Sequence, residues 1–191
     1  MQPHLTPWMV ESAYRYCEAA KHLLTGHDMM AIAQINAAIG METLLKSFVA
    51  VPDGHHGQVN ETYDLEPTLI RDAHRELQRI GKVAADRNRA DKHDLLTLFY
   101  AVPADIRSRL RFDQEEEWIK RYRNVFTSAR YPYEASSPGG YDDTLVYILG
   151  QMIERVVMWY REQGCRDLFI VCYGMTPADF QPKAGKEPEP S

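Results

Sequence analysis

The sequence predicts an all-α fold, an up-and-down helical bundle with one or two extra short helices and a disordered C-terminal tail. Three observations carry the prediction. Apolar residues recur at three- and four-residue spacing through most of the chain. Pro, Gly and Asp stand at the ends of those periodic stretches. Almost nothing reads as a strand. A chain of 191 residues suffices for one well-buried core, so residues 1–175 are expected to form a single helical domain and 176–191 the tail.

In chain order, Thr6 is placed to cap a first helix with Pro7 at its first position, running to Gly26. Its apolar face is Ala13, Cys17, Ala20 and Leu24. Asp28 can cap a second helix, "MMAIAQINAAIGMETLLKSFVAV", ended by Pro52. There Ile32, Ile35, Ile39 and Phe48 fit helical spacing, but apolar residues lie nearly all round, the mark of a central helix. "PDGHHGQVNETYD" reads as a loop. A third helix, about Pro67 to Asp86, carries Leu69, Ile70, Ala73, Leu77 and Ile80. "DKHDLLTLFYAVP" is a short helix closed by Pro103, and "ADIRSRLRF" another turn or two.

Asp113 then caps a helix with acidic residues in its first turn and Lys120, Arg121 and Arg123 later, the order a helix dipole favours. The last long helix spans about Tyr141 to Gln163, with Leu145, Ile148, Leu149, Met152, Val156 and Trp159 inward and Gly164 as its stop. Leu168 to Tyr173 reads either as a short strand or as a packed extended tail. From Thr176 on, Pro, Lys and Glu dominate, which predicts disorder.

Composition excludes several classes. Hydrophobic residues make up 45% and charged residues 26%, as in soluble globular domains. No apolar run reaches the roughly 18 residues of a membrane span, and the start lacks the order of a secretory signal. A cytoplasmic protein without membrane contact is expected. Cys17, Cys165 and Cys172 lack metal-ligand spacing and read as reduced thiols. A formal net charge of −5 argues against non-specific coating of nucleic acid but leaves room for a local basic patch.

No cofactor or metal is predicted. Glu-x-x-His pairs of the di-iron kind are missing, as are phosphate-binding glycine loops and nucleophile elbows. His22, His27 and the His55–His56 pair read as solvent-facing. Arg107, Arg109 and Arg111 read as a solvated face, or as a widening of a basic groove around Arg123.

The helix from Asp113 holds the candidate site. At about 100° per residue, Trp118, Tyr122, Val125 and Ala129 form its core stripe. Arg123 and Arg130 fall about 20° apart beside that stripe and about 10 Å apart along the axis. Lys120 and Thr127 sit just beyond, and Tyr131 precedes the helix-ending Pro132. Two guanidinium groups in register suit phosphate, whose oxygens match their forked donors. The alternative is arginines lying along the core edge or paired with carboxylates such as Glu42 or Glu134.

The order "AIAQINAAIGMETLLKSFVA", "HDLLTLFYAV", "RNVFTSARYPYE" resembles the HEPN superfamily (higher eukaryotes and prokaryotes nucleotide-binding), over roughly residues 13–161. The matching positions are Glu42 and Lys46, then His93 to Leu98, then Arg123 followed by Asn124. The resemblance implies a helical, often homodimeric domain. In active members it implies a metal-independent ribonuclease in which a histidine moves protons and an arginine stabilises the phosphorane. Here the histidine position falls on Ser128, Ala129 or Arg130, none of which titrates near neutral pH. His93, at the start of a different helix, reads as a cap or core-edge hydrogen bonder.

The resemblance therefore implies RNA or nucleotide-phosphate binding through Lys120, Arg123, Thr127, Arg130 and Tyr131. It also implies weak or lost ribonuclease activity, with Arg123 and Asn124 as the catalytic remnant. Partners would be a second copy of the chain and an antitoxin-like protein, in toxin–antitoxin or phage-defence systems. A non-catalytic dimerisation or protein-interaction module is the other reading.

Overall fold

The computed structural model describes residues 4–55, 58, 61–84, 86, 89–125, 140–176 and 179. The described chain is mostly helical, as expected of the all-α class, with one small two-stranded sheet. Among the described residues no helix is long and apolar enough to cross a membrane.

Helices α1 (Pro7–Leu23) and α2 (Met30–Lys46) form a tightly packed hairpin. Their shared face is built of small residues: Ala13, Cys17 and Ala20 from α1, Ala33, Ala37 and Gly40 from α2. A Cβ on Gly40 would lie 2.6 Å from Leu149 Cδ2 and 3.1 Å from the Ala13 carbonyl oxygen. Side-chain bulk at that point would force the helices apart.

This face corrects the expected one. Ile32 is exposed and Ile35 and Ile39 are only half buried. The alanine face, with Met41, Leu44 and Leu45, meets the core instead, because close helix approach favours small side chains over branched ones. Asp28 is not the cap: it has φ 56°, and Met29 occupies that position.

Helix α2 also ends earlier than expected. Residues Ala50–Gly54 form strand β1, antiparallel to β2 (Thr62–Leu65), with Ala50 opposite Leu65 and Pro52 opposite Tyr63. Ser47 closes the helix by donating its hydroxyl to the Leu44 carbonyl at 2.6 Å. Val49 and Val51 then suit extended backbone better than helix, and Pro52 is tolerated because a two-stranded ribbon is all edge.

Helix α3 (Pro67–Arg79) is capped by the Glu66 side chain, which accepts from the Thr68 N–H at 3.0 Å. It stops at Arg79, short of Asp86, with Gly81 at φ 72° just beyond. Ile70, Ala73 and Leu77 are buried as expected, and Ile80 is exposed. Helix α4 (Leu95–Ala101) is buried apart from Tyr100. Helix α5 (Ala104–Arg109) follows Pro103.

The next helix does not start at Asp113. Residues Phe112–Glu115 form a 3₁₀ turn, and helix α6 begins at Glu116 and runs to Tyr122. Of the expected core stripe, Tyr122 and Val125 are buried and Ala129 lies outside the described residues, while Trp118 is 37% exposed, stacked on Tyr122, and the buried Ile119 widens the inward face. Helix α7 (Thr144–Glu162) buries its six predicted core residues across α1 and α2. Its Tyr160 hydroxyl accepts from the Thr6 N–H at 3.2 Å, while the Thr6 hydroxyl donates to the Ser47 carbonyl. That buried network joins the ends of α1, α2 and α7, and it takes the Thr6 side chain away from capping.

Leu168–Cys172 is neither strand nor extended tail but a short helix, α8, whose cap Asp167 accepts from the Phe169 and Ile170 N–H groups. Of the expected tail, only Thr176 and Asp179 fall within the described residues.

The packing generates a paired prediction. Gly40→Ala should destabilise the protein by about 1–3 kcal/mol through overpacking. Gly150→Ala on α7, whose nearest new contact is 3.7 Å from Cys17 Sγ, should be neutral or stabilising by up to about 1 kcal/mol. Urea denaturation midpoints of the two variants test the contrast.

Candidate functional site

Three segments distant in sequence meet in one polar seam. At the end of α2, Glu42 and Lys46 stand one turn apart, and Lys46 Nζ donates to Glu42 Oε1 at 2.5 Å. The same oxygen lies 2.9 Å from His93 Nδ1. Asp94, the next residue, stands at the N-cap position of α4 but is directed away from the helix's own backbone. Its carboxylate receives both prongs of Arg123, the residue that closes α6: Nε to Oδ1 at 2.9 Å and Nη2 to Oδ2 at 2.7 Å. Thr97 adds a hydrogen bond to Oδ2 at 2.7 Å. Arg123 Nη1 donates to the Lys82 carbonyl, anchoring the chain after α3 to the same point.

In this pair the carboxylate is buried and the guanidinium half buried. The Asp94 side chain is 4% exposed and that of Arg123 17%. Forked, charge-assisted contacts of this kind are stronger than neutral ones.

Lys82 extends the network sideways. Its ammonium bonds Glu116 and the Tyr100 hydroxyl, and Tyr100 donates to Glu116 at 2.9 Å. Burial pushes the Glu116 carboxyl up, but the bonds from Lys82 and Tyr100 outweigh it and hold the group below its ordinary value. At the other end of α6, Arg121 and Tyr122 both bond Asp142, ahead of α7. Burial and that carboxylate push the Tyr122 hydroxyl up to about 12.

Of the predicted site residues, Lys120, Arg123 and Asn124 fall within the described residues. Arg123 is half buried and engaged by Asp94, not by Glu42. Lys120 is exposed and paired with Glu117 at 3.5 Å. Asn124 is exposed and hydrogen-bonded or in comparable contact. Thr127, Arg130 and Tyr131 lie outside the described residues, as do Ser128, Ala129 and Glu134.

His93 is a core-edge hydrogen bonder, as read. Arg107 and Arg109 do not widen a groove around Arg123: Arg107 pairs with Asp113 and lies over the Phe99 and Tyr100 rings, and Arg109 pairs with Glu162. Among the described residues no group of three or more His, Cys, Asp or Glu side chains is arranged to hold a metal ion.

Sequence reasoning missed Asp94 as the arginine's partner. An acidic residue directly before an apolar helix signals a cap, and a separation of 29 residues from Arg123 leaves no local trace of their pairing.

Beside the seam, His93 also lines an open groove of about 690 Å³ between β2, the start of α3 and the loop ahead of α4. Comparison of the chain with protein-family models, curated proteins and solved structures gives no match.

Two outcomes follow. Arg123→Ala leaves a buried carboxylate unpaired and should cost about 3–5 kcal/mol, whereas Lys120→Ala at an exposed pair should cost less than about 1 kcal/mol; thermal and urea unfolding compare them. The lowered Glu116 group contributes stability present above its ordinary value of 4.5 and lost as pH falls through its lower folded value. Glu116→Gln should flatten that acid limb in a plot of urea midpoint against pH.

Proposed function

We propose that the protein is a HEPN-like helical domain that binds RNA or nucleotide phosphate and has weak or lost metal-independent ribonuclease activity. One observation carries the reading. The three segments that hold the resemblance, at Glu42–Lys46, His93–Asp94 and Arg123, are bonded to one another although they lie far apart in the chain. Helices that resembled the family by amphipathic pattern alone would not bring those particular side chains into one seam.

The reading assigns Arg123 a positioning role. Its fork is occupied, so it fixes the loop that presents Lys92 and His93, while phosphate meets accessible cations nearby. Weak cleavage is the expectation from the sequence between Ser128 and Arg130, where the family's imidazole is replaced. Without it the proton-transfer factor of about 10²–10⁴ is forgone. A homodimer and a role in toxin–antitoxin or phage-defence systems follow from the same resemblance.

A second reading, a non-catalytic interaction module, draws on the same closed pair. It also draws on the exposed apolar side chains Tyr16, Met29, Met30 and Ile32 around the α1–α2 hairpin.

Anisotropy titration of a labelled single-stranded RNA over a salt series separates the two. The binding reading expects log Kd to rise with log salt, by about 0.7 for each phosphate contacted. RNA left unbound at low salt overturns it and leaves the interaction module. Incubation of the same RNA in EDTA should leave it largely intact.

A further inference from the structure

We infer that the groove between β2, α3 and the loop ahead of α4 is a binding site for one nucleotide-sized unit, with a flat apolar body and a phosphate monoester. The inference rests on the phosphate-binding reading above and adds the surface and the size of the ligand.

The first argument is which cations remain uncommitted. Charged side chains elsewhere are largely neutralised in pairs: Arg15 with Glu11, Arg79 with Glu76, Arg121 with Asp142, Arg155 with Glu115. Arg71, Arg89 and Lys92 differ. Among the described residues none of them forms an ion pair with a carboxylate; Arg71 bonds the Thr68 hydroxyl at 3.3 Å, and the nearest carboxylate that feels its charge, Glu66, is held by the Thr68 N–H. These three cations line the same groove.

The two carboxylates that share the groove, Asp64 and Asp91, are each turned to local backbone. They accept from the Leu65 and His93 N–H groups, both at 2.8 Å. Like a lone guanidinium, an ammonium without a counter-ion is strongly attractive to a dianionic phosphate.

The second argument is shape. Leu65, Pro67, Ile70 and Ala90 give the groove an apolar lining within its charged rim. Small-ligand sites of about 300–1,000 Å³ combine an apolar lining with a few convergent polar groups, and about 690 Å³ lies within that range. A base can cover the apolar lining while its phosphate meets Arg71 and Lys92.

A second groove, of about 510 Å³, makes the contrast: it is lined by Arg109, Arg111 and Arg155, of which Arg109 and Arg155 are paired with glutamates, and the Glu154 and Glu162 carboxylates share it.

The third argument is rigidity. The loop carrying Lys92 is held from behind by the Asp94–Arg123 fork and by His93 on Glu42. The opposite wall is fixed by the Glu66 cap of α3. A preorganised cationic rim binds without first having to order itself.

The test uses the full chain, with adenosine 5′-monophosphate and adenosine as calorimetric titrants. Adenosine 5′-monophosphate should bind at least about tenfold more tightly than adenosine, the least expected from charge-assisted hydrogen bonds. Arg71→Ala with Lys92→Ala should remove that difference while leaving the unfolding midpoint unchanged, since both side chains lie at the surface.

Competition with 5′-phosphorylated and 5′-hydroxyl RNA then separates the two sources of such a unit. Displacement by the phosphorylated RNA alone assigns the groove to RNA ends, and displacement by neither assigns it to free nucleotide. Equal binding of the nucleoside and the nucleotide overturns the inference, as does nucleotide binding unaltered in the double variant. RNA binding by the unsubstituted chain while the nucleotide fails to bind it sinks the groove and spares the broader reading. Failure of both ligands sinks both.

Discussion

The fork between Arg123 and Asp94 holds together the part of the molecule where α2, α4 and α6 converge. A guanidinium so little exposed requires a carboxylate, and a carboxylate so deeply buried requires a cation. Each group therefore fixes the other, and with them the end of α6 and the start of α4. Lys82 joins from the chain after α3, through its carbonyl on Arg123 and its ammonium on Glu116 and Tyr100. Buried pairs of this type contribute little net stability against an apolar replacement, but losing one partner alone is costly. Here the pair sets register: it aligns three separate pieces of chain at one point, and the neighbouring His93 joins α2 to them through Glu42.

The other half of the fold is held by a different kind of contact. Between α1 and α2 there is almost no side-chain volume, so the two helices approach backbone to backbone, and Leu149 of α7 closes over Gly40. This economy explains the partly exposed isoleucines on the outer face of α2. Bulk was not needed where the helices touch, so it lies where they do not. The molecule thus has a small-residue, dry hairpin at one side and a hydrogen-bonded polar seam at the other, with α7 and α4 filling the space between.

Much of this was legible in the sequence. The all-α class, the core residues of α7 and the Pro103 stop were read from spacing and breakers, which are local signals. Misreadings arose where a local signal had two outcomes. Val51 continues the apolar run of α2 but belongs to strand β1, because its β-branched side chain tolerates either setting and only the partner strand decides. Trp118 fell on the predicted core stripe with Tyr122 and Val125, which are buried, yet at the first turn of α6 it stacks on Tyr122 at the surface. In the candidate site, Arg123 was singled out correctly as a boundary residue. Its partner was illegible, because pairing across 29 residues depends on tertiary packing alone.

Helix α8 is held by groups outside it: the Asp167 cap, the core around Ile170 and the Arg161 side chain. Five residues are too few to hold a helix unaided, and its carbonyls at Ile170 and Val171, with that of Tyr173, all accept hydrogen bonds from the guanidinium of Arg161. Tyr14 adds ring contacts with Phe169 and Tyr173. Such a segment is a separable cooperative unit. Its amide protons can exchange with solvent through a local opening that leaves the seam and the α1–α2 hairpin closed, with Arg161 acting as the latch.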